Sequence, residues 1–191
     1  MDEIDLTLAN RDGLPEPLRV LYRDYPREAW EAHPEFGGLV RFWLERHMMF
    51  RKLMAMLQED TQSVLDRRMD PAAYAPRLAR FGGMLVNQLH GHHQIEDVHY
   101  FPVLAGLDRR IATGFDILDK DHQALDGIIE RFTVAANGVL QAAGSDAAAR
   151  EKSAGFLTEL GSFERMLNRH LNDEEELVVP VILSHPEAGL G

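Results

Sequence analysis

The chain has 191 residues, 45% of them hydrophobic, enough for one domain with a substantial core. It contains no cysteine, which excludes a disulfide framework, thiolate zinc sites, iron–sulfur clusters and cysteine nucleophiles together, so any metal must be held by His, Asp or Glu. Its net charge of -11 argues against nucleic acid as a partner, because affinity for a phosphate backbone rests on a basic surface.

Residues 1–34 read as an N-terminal appendage, with Gly13, Pro15, Pro17, Pro26 and Pro34 breaking any long helix. Leu18, Leu21, Tyr22, Tyr25 and Trp30 are large and apolar enough to dock, so a short helix and an ordered loop against the main body are expected. From Phe36 onward Val40, Trp43, Leu44, His47, Phe50, Met54 and Leu57 recur at helical steps of three and four. Asp70-Pro71 and Ala75-Pro76 suggest a break before a second helix from about 76 to 106, kinked near Pro102. Phe115, Leu118, His122, Leu125, Ile129 and Phe132 mark a third helix, ending before Gly144-Ser145-Asp146. Phe156, Leu160, Phe163, Leu167, His170, Glu174, Leu177 and Val181 mark a fourth. No segment shows strand-like alternation. The expected fold is therefore all-α, an antiparallel up-down four-helix bundle over residues 35–186 preceded by the appendage. Met1 to Ala9 lack the basic start and apolar run of a signal peptide, and no stretch reaches the ~18 apolar residues of a membrane span, so a cytoplasmic protein with no membrane partner is expected.

One pattern occurs twice. His92-x-x-x-Glu96 is followed by Pro102, and His170-x-x-x-Glu174 by Pro180, with identical spacing in both copies. A spacing of four places imidazole and carboxylate on one face of a helix, about one turn apart, aimed at a common point. The first and third runs each add one His, His47 and His122, where the stripe should be apolar. A lone His on such a face is more often a core imidazole bonded to a carbonyl, and a lone HxxxE more often a surface pair. Burying all of these groups without partners would be costly, and a common metal centre removes that cost. Four imidazoles and two carboxylates exceed the needs of one tetrahedral zinc, and their nitrogen content disfavours calcium and magnesium. The set suits two ions roughly 3.5 to 4 Å apart, bridged by Glu96 and Glu174. Two iron ions are the first choice, with zinc or manganese as alternatives.

His47 in FWLERHMMFRKL, His92 and Glu96 in HHQIEDVHYFPVL, His122 in DKDHQALDGII, and His170 and Glu174 in RHLNDEEELVVPVIL resemble the hemerythrin-like, HHE cation-binding family over about residues 36 to 184. The resemblance implies an up-down bundle holding a non-haem di-iron centre, with bridging carboxylates and an open position for oxygen or a related small ligand. Oxygen-carrying hemerythrins have a second His one turn after the first on the third helix, where this chain has Asp126, and end their last pair in Asp after one more residue. These departures argue against reversible oxygen carriage. Asp126 is then a candidate oxygen ligand, hydrogen-bond acceptor or exposed residue. His93, about 100° around the helix from His92, is a candidate substitute ligand, and His99, seven residues after His92, a candidate neighbour of the metal. His90, His33 and His185 read as rim or solvent residues, Tyr100 as packing, and Asp173 to Glu176 as a solvated acidic face with only Glu174 in ligand phase.

The leading functional expectation is a metal-binding protein that binds or senses oxygen, nitric oxide, peroxide or iron. Alternatives are a di-iron oxidoreductase, peroxidase- or catalase-like or acting in nitrosative-stress repair, and a structural zinc-binding helical module. The expected partner is O2, NO or peroxide, and the expected assembly a monomer or homodimer, depending on whether Leu18, Leu21 and Tyr22 cover their own chain or join two.

Overall fold

The computed structural model describes residues 5–188, and every regular element among them is helical. A 3-10 turn at Glu16–Arg19 runs into α1 (Val20–Asp24), and a second turn at Arg27–Ala29 follows. The four expected runs appear as α2 (Gly38–Leu65), α3 (Pro71–Ile95) with its continuation, α5 (Ala112–Ala142) and α6 (Asp146–Ser184). The continuation of α3 is a π-helical turn at Glu96–Tyr100 and then α4 (Phe101–Leu107). No helix among the described residues is long and apolar enough to cross a membrane.

Two boundaries differ from the sequence reading, each for a local reason. The second run begins at Pro71 rather than at 76 because Asp70 acts as its cap, its side chain accepting the Ala72 N–H at 2.8 Å. Pro71 then occupies the first helical position, where a missing N–H costs nothing. The irregularity expected at Pro102 lies just before it, as the π turn, in which the Phe101 N–H reaches back five residues to the Glu96 carbonyl. Proline at 102 cannot donate to the Val98 carbonyl and would crowd it in a regular turn, so a wider turn ahead of it relieves both problems.

Contacts divide the chain into two compact units. The first comprises the chain up to Met48, His93–Gln123 and the chain from Asn168. In its core Leu14, Leu18, Leu21 and Trp30 of the N-terminal segment join Trp43, Phe101, Phe115, Leu118 and Leu177. Leu18 and Leu21 thus cover their own chain. The second unit, Met49–His92 with Ala124–Leu167, packs Phe132 against Phe156 and Phe163 at centroid distances of 5.3 and 5.5 Å. Of the Gly82-Gly83 pair, Gly82 faces the Phe132 ring, whereas Gly83 is exposed.

The end of α2 carries a testable strain. Arg68 N–H bonds the Ser63 carbonyl and Arg67 N–H the Val64 carbonyl, the paired bonds of a Schellman cap, and they require a left-handed residue at 67. That residue is Arg67, at φ 60°. The R67G variant is expected to raise unfolding free energy by up to ~1 kcal/mol, read from denaturant unfolding, because glycine adopts this conformation without a Cβ clash.

Candidate metal centre

The first unit brings the chemistry-bearing side chains together. α2 supplies His47, α3 supplies His93, the π turn supplies Glu96 and Asp97, α5 supplies Asp121 and His122, and α6 supplies His170, Asp173, Glu174 and Glu175. His47, His170 and Glu174 are fully buried. The structure forms two donor sets whose ligand atoms lie within 4.8 Å of one another: His93, His122 and His170 in one, and His47, Glu96 and Glu174 in the other.

Each of three imidazoles is tied at Nδ1 to a carboxylate. His47 Nδ1 bonds Glu175 Oε1 at 2.9 Å, His122 Nδ1 bonds Asp97 Oδ1 at 2.7 Å, and His170 Nδ1 bonds Asp121 Oδ2 at 3.2 Å. A carboxylate on Nδ1 fixes ring orientation and leaves Nε2 as the metal-facing nitrogen. The Nε2 atoms do converge. Those of His122 and His170 are 3.2 Å apart, and His47 Nε2 lies 3.3 Å from Glu174 Oε1. The second oxygen of Glu174 is 3.3 Å from His170 Nε2, so this one carboxylate spans both donor sets. Trp43 Nε1–H donates to Glu174 Oε1 and fixes the carboxylate from α2. Glu96 Oε2 lies 3.5 Å from His122 Nε2 while its neighbour Asp97 holds the opposite nitrogen of that ring. The His93 ring stacks on His122 at 4.0 Å and stands edge-on to His170 at 5.5 Å.

The protonation states follow from burial against this carboxylate field. Burial alone would pull the His47 imidazole down, but Glu174 and Glu175 outweigh it and raise it. Burial also opposes protonation of His170, yet Asp121 and Glu174 push it up to about 9. Burial, reinforced by the Glu174 charge, drives the Glu96 carboxyl well above the usual carboxylate range. The cluster thus retains protons that solvent-exposed groups would lose. A field that holds protons on buried imidazoles also favours a metal cation, and the donor set of imidazole nitrogens and carboxylate oxygens fits iron, manganese or zinc.

Of the residues singled out from sequence, His47, His93, Glu96, His122, His170 and Glu174 meet in these sets. His92 immediately precedes His93, one turn before Glu96, and its ring lies 5.2 Å from that of Phe50. His99 is exposed and stands outside the cluster because the π turn carries it to the surface. Asp126 is also exposed and lies 3.6 Å from the equally exposed His90. Tyr100 packs edge-on against Trp43 at 5.0 Å.

The acidic run is a correction. Asp173 and Glu175 are buried beside Glu174, and only Glu176 keeps contact with solvent. The reading of a solvated face assumed one inward stripe on α6, whereas the N-terminal segment covers a second face, with Arg11 on Asp173 at 2.9 Å and Arg27 on Glu175 at 2.6 Å. Sequence reasoning also missed Asp97 and Asp121, although a signal existed. Each sits next to a proposed ligand, as Glu175 does, and a neighbour offset by about 100° faces the adjoining helix.

These donor sets on an all-helical chain define a helical metal-binding protein. A family profile described as hemerythrin HHE cation binding domain matches residues 38–182, well over half of the sequence, and the chain belongs to that family. Comparison with curated proteins and with solved structures gave no match.

Two outcomes test this geometry. A His whose folded value is raised adds stability that is fully present below its unfolded value near 6.5 and is lost as pH rises through about 9, whereas ligation requires the deprotonated ring. Metal uptake in weakly buffered solution at pH 7.5 should therefore release protons, and affinity should fall by up to about tenfold per pH unit per displaced proton between pH 9 and 7. Uptake indifferent to pH across that window would contradict ligation by His170. Separately, D97N should weaken metal binding about 10–100-fold with helical content unchanged, since it loosens the Nδ1 tether of His122. Chelator competition gives the affinity and circular dichroism the control.

Proposed function

We propose that the chain is a non-haem di-iron protein that binds or senses O2, NO, peroxide or iron itself. The observation that carries this reading is the Glu174 carboxylate, one oxygen beside His47 Nε2 and the other beside His170 Nε2. A carboxylate so placed suits a bridge between two ions. In this reading His93, His122 and His170 serve one ion, His47 with the helix-paired His92 serves the other, and Glu96 is the second bridge. The four long runs then take the up-down order expected from their short connections.

Bound iron would supply a one-electron couple and a coordination position for a small ligand. The protein's own contribution is positioning and exclusion of water. The Nδ1 tethers hold three rings in place, Trp43 holds Glu174, and the buried Phe101 ring stacks on His122 at 5.4 Å as an apolar wall. Such a wall favours a small, weakly hydrated ligand over a bulky substrate.

The near-complete burial of the donors favours one competing reading, a closed structural zinc site. Loading with ferrous iron under anaerobic conditions, elemental analysis and the optical spectrum on admitting air separate the two. About two irons per chain and a new near-ultraviolet band are expected, and peroxide or NO turnover would then identify an oxidoreductase. Zinc alone without a spectral response would defeat the di-iron reading. In the same assay H92A and E174A should each lose at least one metal equivalent and H185A none. Equal metal content in the three would refute the site assignment.

A further inference from the structure

The carboxylates that tether the imidazoles are themselves held from the N-terminal segment. Arg11 is buried, with its side chain 2% exposed. Its Nη1 bonds Asp121 Oδ1 at 2.7 Å, its Nη2 bonds Asp121 Oδ2, and its Nε bonds Asp173 Oδ2 at 2.9 Å. Asp121 Oδ2 is the same oxygen that meets His170 Nδ1. On the other donor set, Glu175 Oε1 bonds His47 Nδ1, and its Oε2 lies 2.6 Å from Arg27 Nη2 in an ion pair. Two independent chains of contact therefore run from the N-terminal segment to a metal-facing imidazole, Arg11–Asp121–His170 and Arg27–Glu175–His47.

A buried arginine is an expensive way to fill space, and an apolar residue would commonly pack there at lower cost. Its planar fork does what an apolar residue cannot, fixing the plane of the Asp121 carboxylate through two parallel bonds. We propose that the N-terminal segment is a latch on the metal centre, in which Arg11 and Arg27 are positioning residues that set the carboxylates aligning His170 and His47. The proposal rests on the metal-centre reading above. Further anchors fasten the same segment to α6: Arg169 binds both the Asp12 carbonyl and Asp173, and Arg19 meets Glu176 at 3.0 Å. Because coupling between two equilibria is reciprocal, a docked latch tightens metal binding and bound metal tightens the latch by the same factor.

The test is a cobalt(II) titration of the full chain with chelator competition, together with hydrogen exchange over residues 5–34 with and without cobalt. Wild type should take up cobalt and show slowed exchange in that segment on loading. R11M and R27Q should each bind at least one equivalent about tenfold more weakly, shift the cobalt absorption bands and lose the metal-dependent slowing. R77Q, which removes the Asp60 ion pair of the second unit, controls for general loss of stability and should bind cobalt as wild type does. Should R11M lose its helical circular dichroism, R27Q carries the test, since Arg27 is 42% exposed and its replacement gives up a stack over the Trp30 ring but leaves no buried cavity. Wild-type affinity, bands and exchange in R27Q and in a folded R11M would overturn the latch while leaving the metal centre intact. A wild-type chain that takes up no cobalt would remove the metal-centre reading and the latch with it.

Discussion

A buried carboxylate must be compensated, and the first unit buries Glu96, Asp121, Asp173, Glu174 and Glu175 together. Most of what surrounds the centre answers that constraint. Imidazoles stand between carboxylates, Trp43 donates to Glu174, and Arg11 enters from the N-terminal segment to face Asp121 and Asp173. Ion pairs of this kind are a poor source of net stability, because desolvation offsets much of the Coulomb gain. Their geometric effect is larger. Arg11 fixes Asp121, whose Oδ2 meets His170 Nδ1, and Arg27 meets Glu175, whose Oε1 bonds His47 Nδ1.

The same constraint accounts for the division of labour among the helices. α3 with its π turn contributes to both donor sets, through His93 and Glu96, and α6 does so through His170 and Glu174. α2 adds His47 to one set and α5 adds His122 to the other. Adjacent residues on one helix differ by about 100°, so the doublet Glu174-Glu175 reaches both nitrogens of the His47 ring from different directions. The π turn at Glu96 extends this reach, letting consecutive carboxylates approach both nitrogens of the single His122 ring.

The helical character of the chain and the convergence of His47, Glu96, His122, His170 and Glu174 were legible in the sequence because they are periodic. A polar residue in an apolar stripe is conspicuous, and an HxxxE spacing repeated at the same distance from a proline rarely arises by chance. What stayed hidden was not periodic. Asp121 and Glu175 lie off the main stripe, where an acidic residue is ordinarily solvated, and their burial depends on Arg11 and Arg27, 110 and 148 residues away in the chain. The role of Asp70 at the start of α3 was misjudged for a different reason. Asp-Pro reads equally well as a break or as a cap followed by the first helical residue, and only the Ala72 bond distinguishes them.

Asp126, one turn beyond His122 on α5, is exposed, whereas His93 on α3 is buried with its ring stacked on that of His122. His93 lies three residues before Glu96, on the turn that leads into the π segment. The two donor sets then share covalent neighbours on α3 as they already do on α6. A displacement of His93 is carried through less than one helical turn to Glu96, and a displacement of His170 to Glu174. Glu174, with one oxygen beside His47 and the other beside His170, gives the two sets a shared carboxylate in addition to these covalent links.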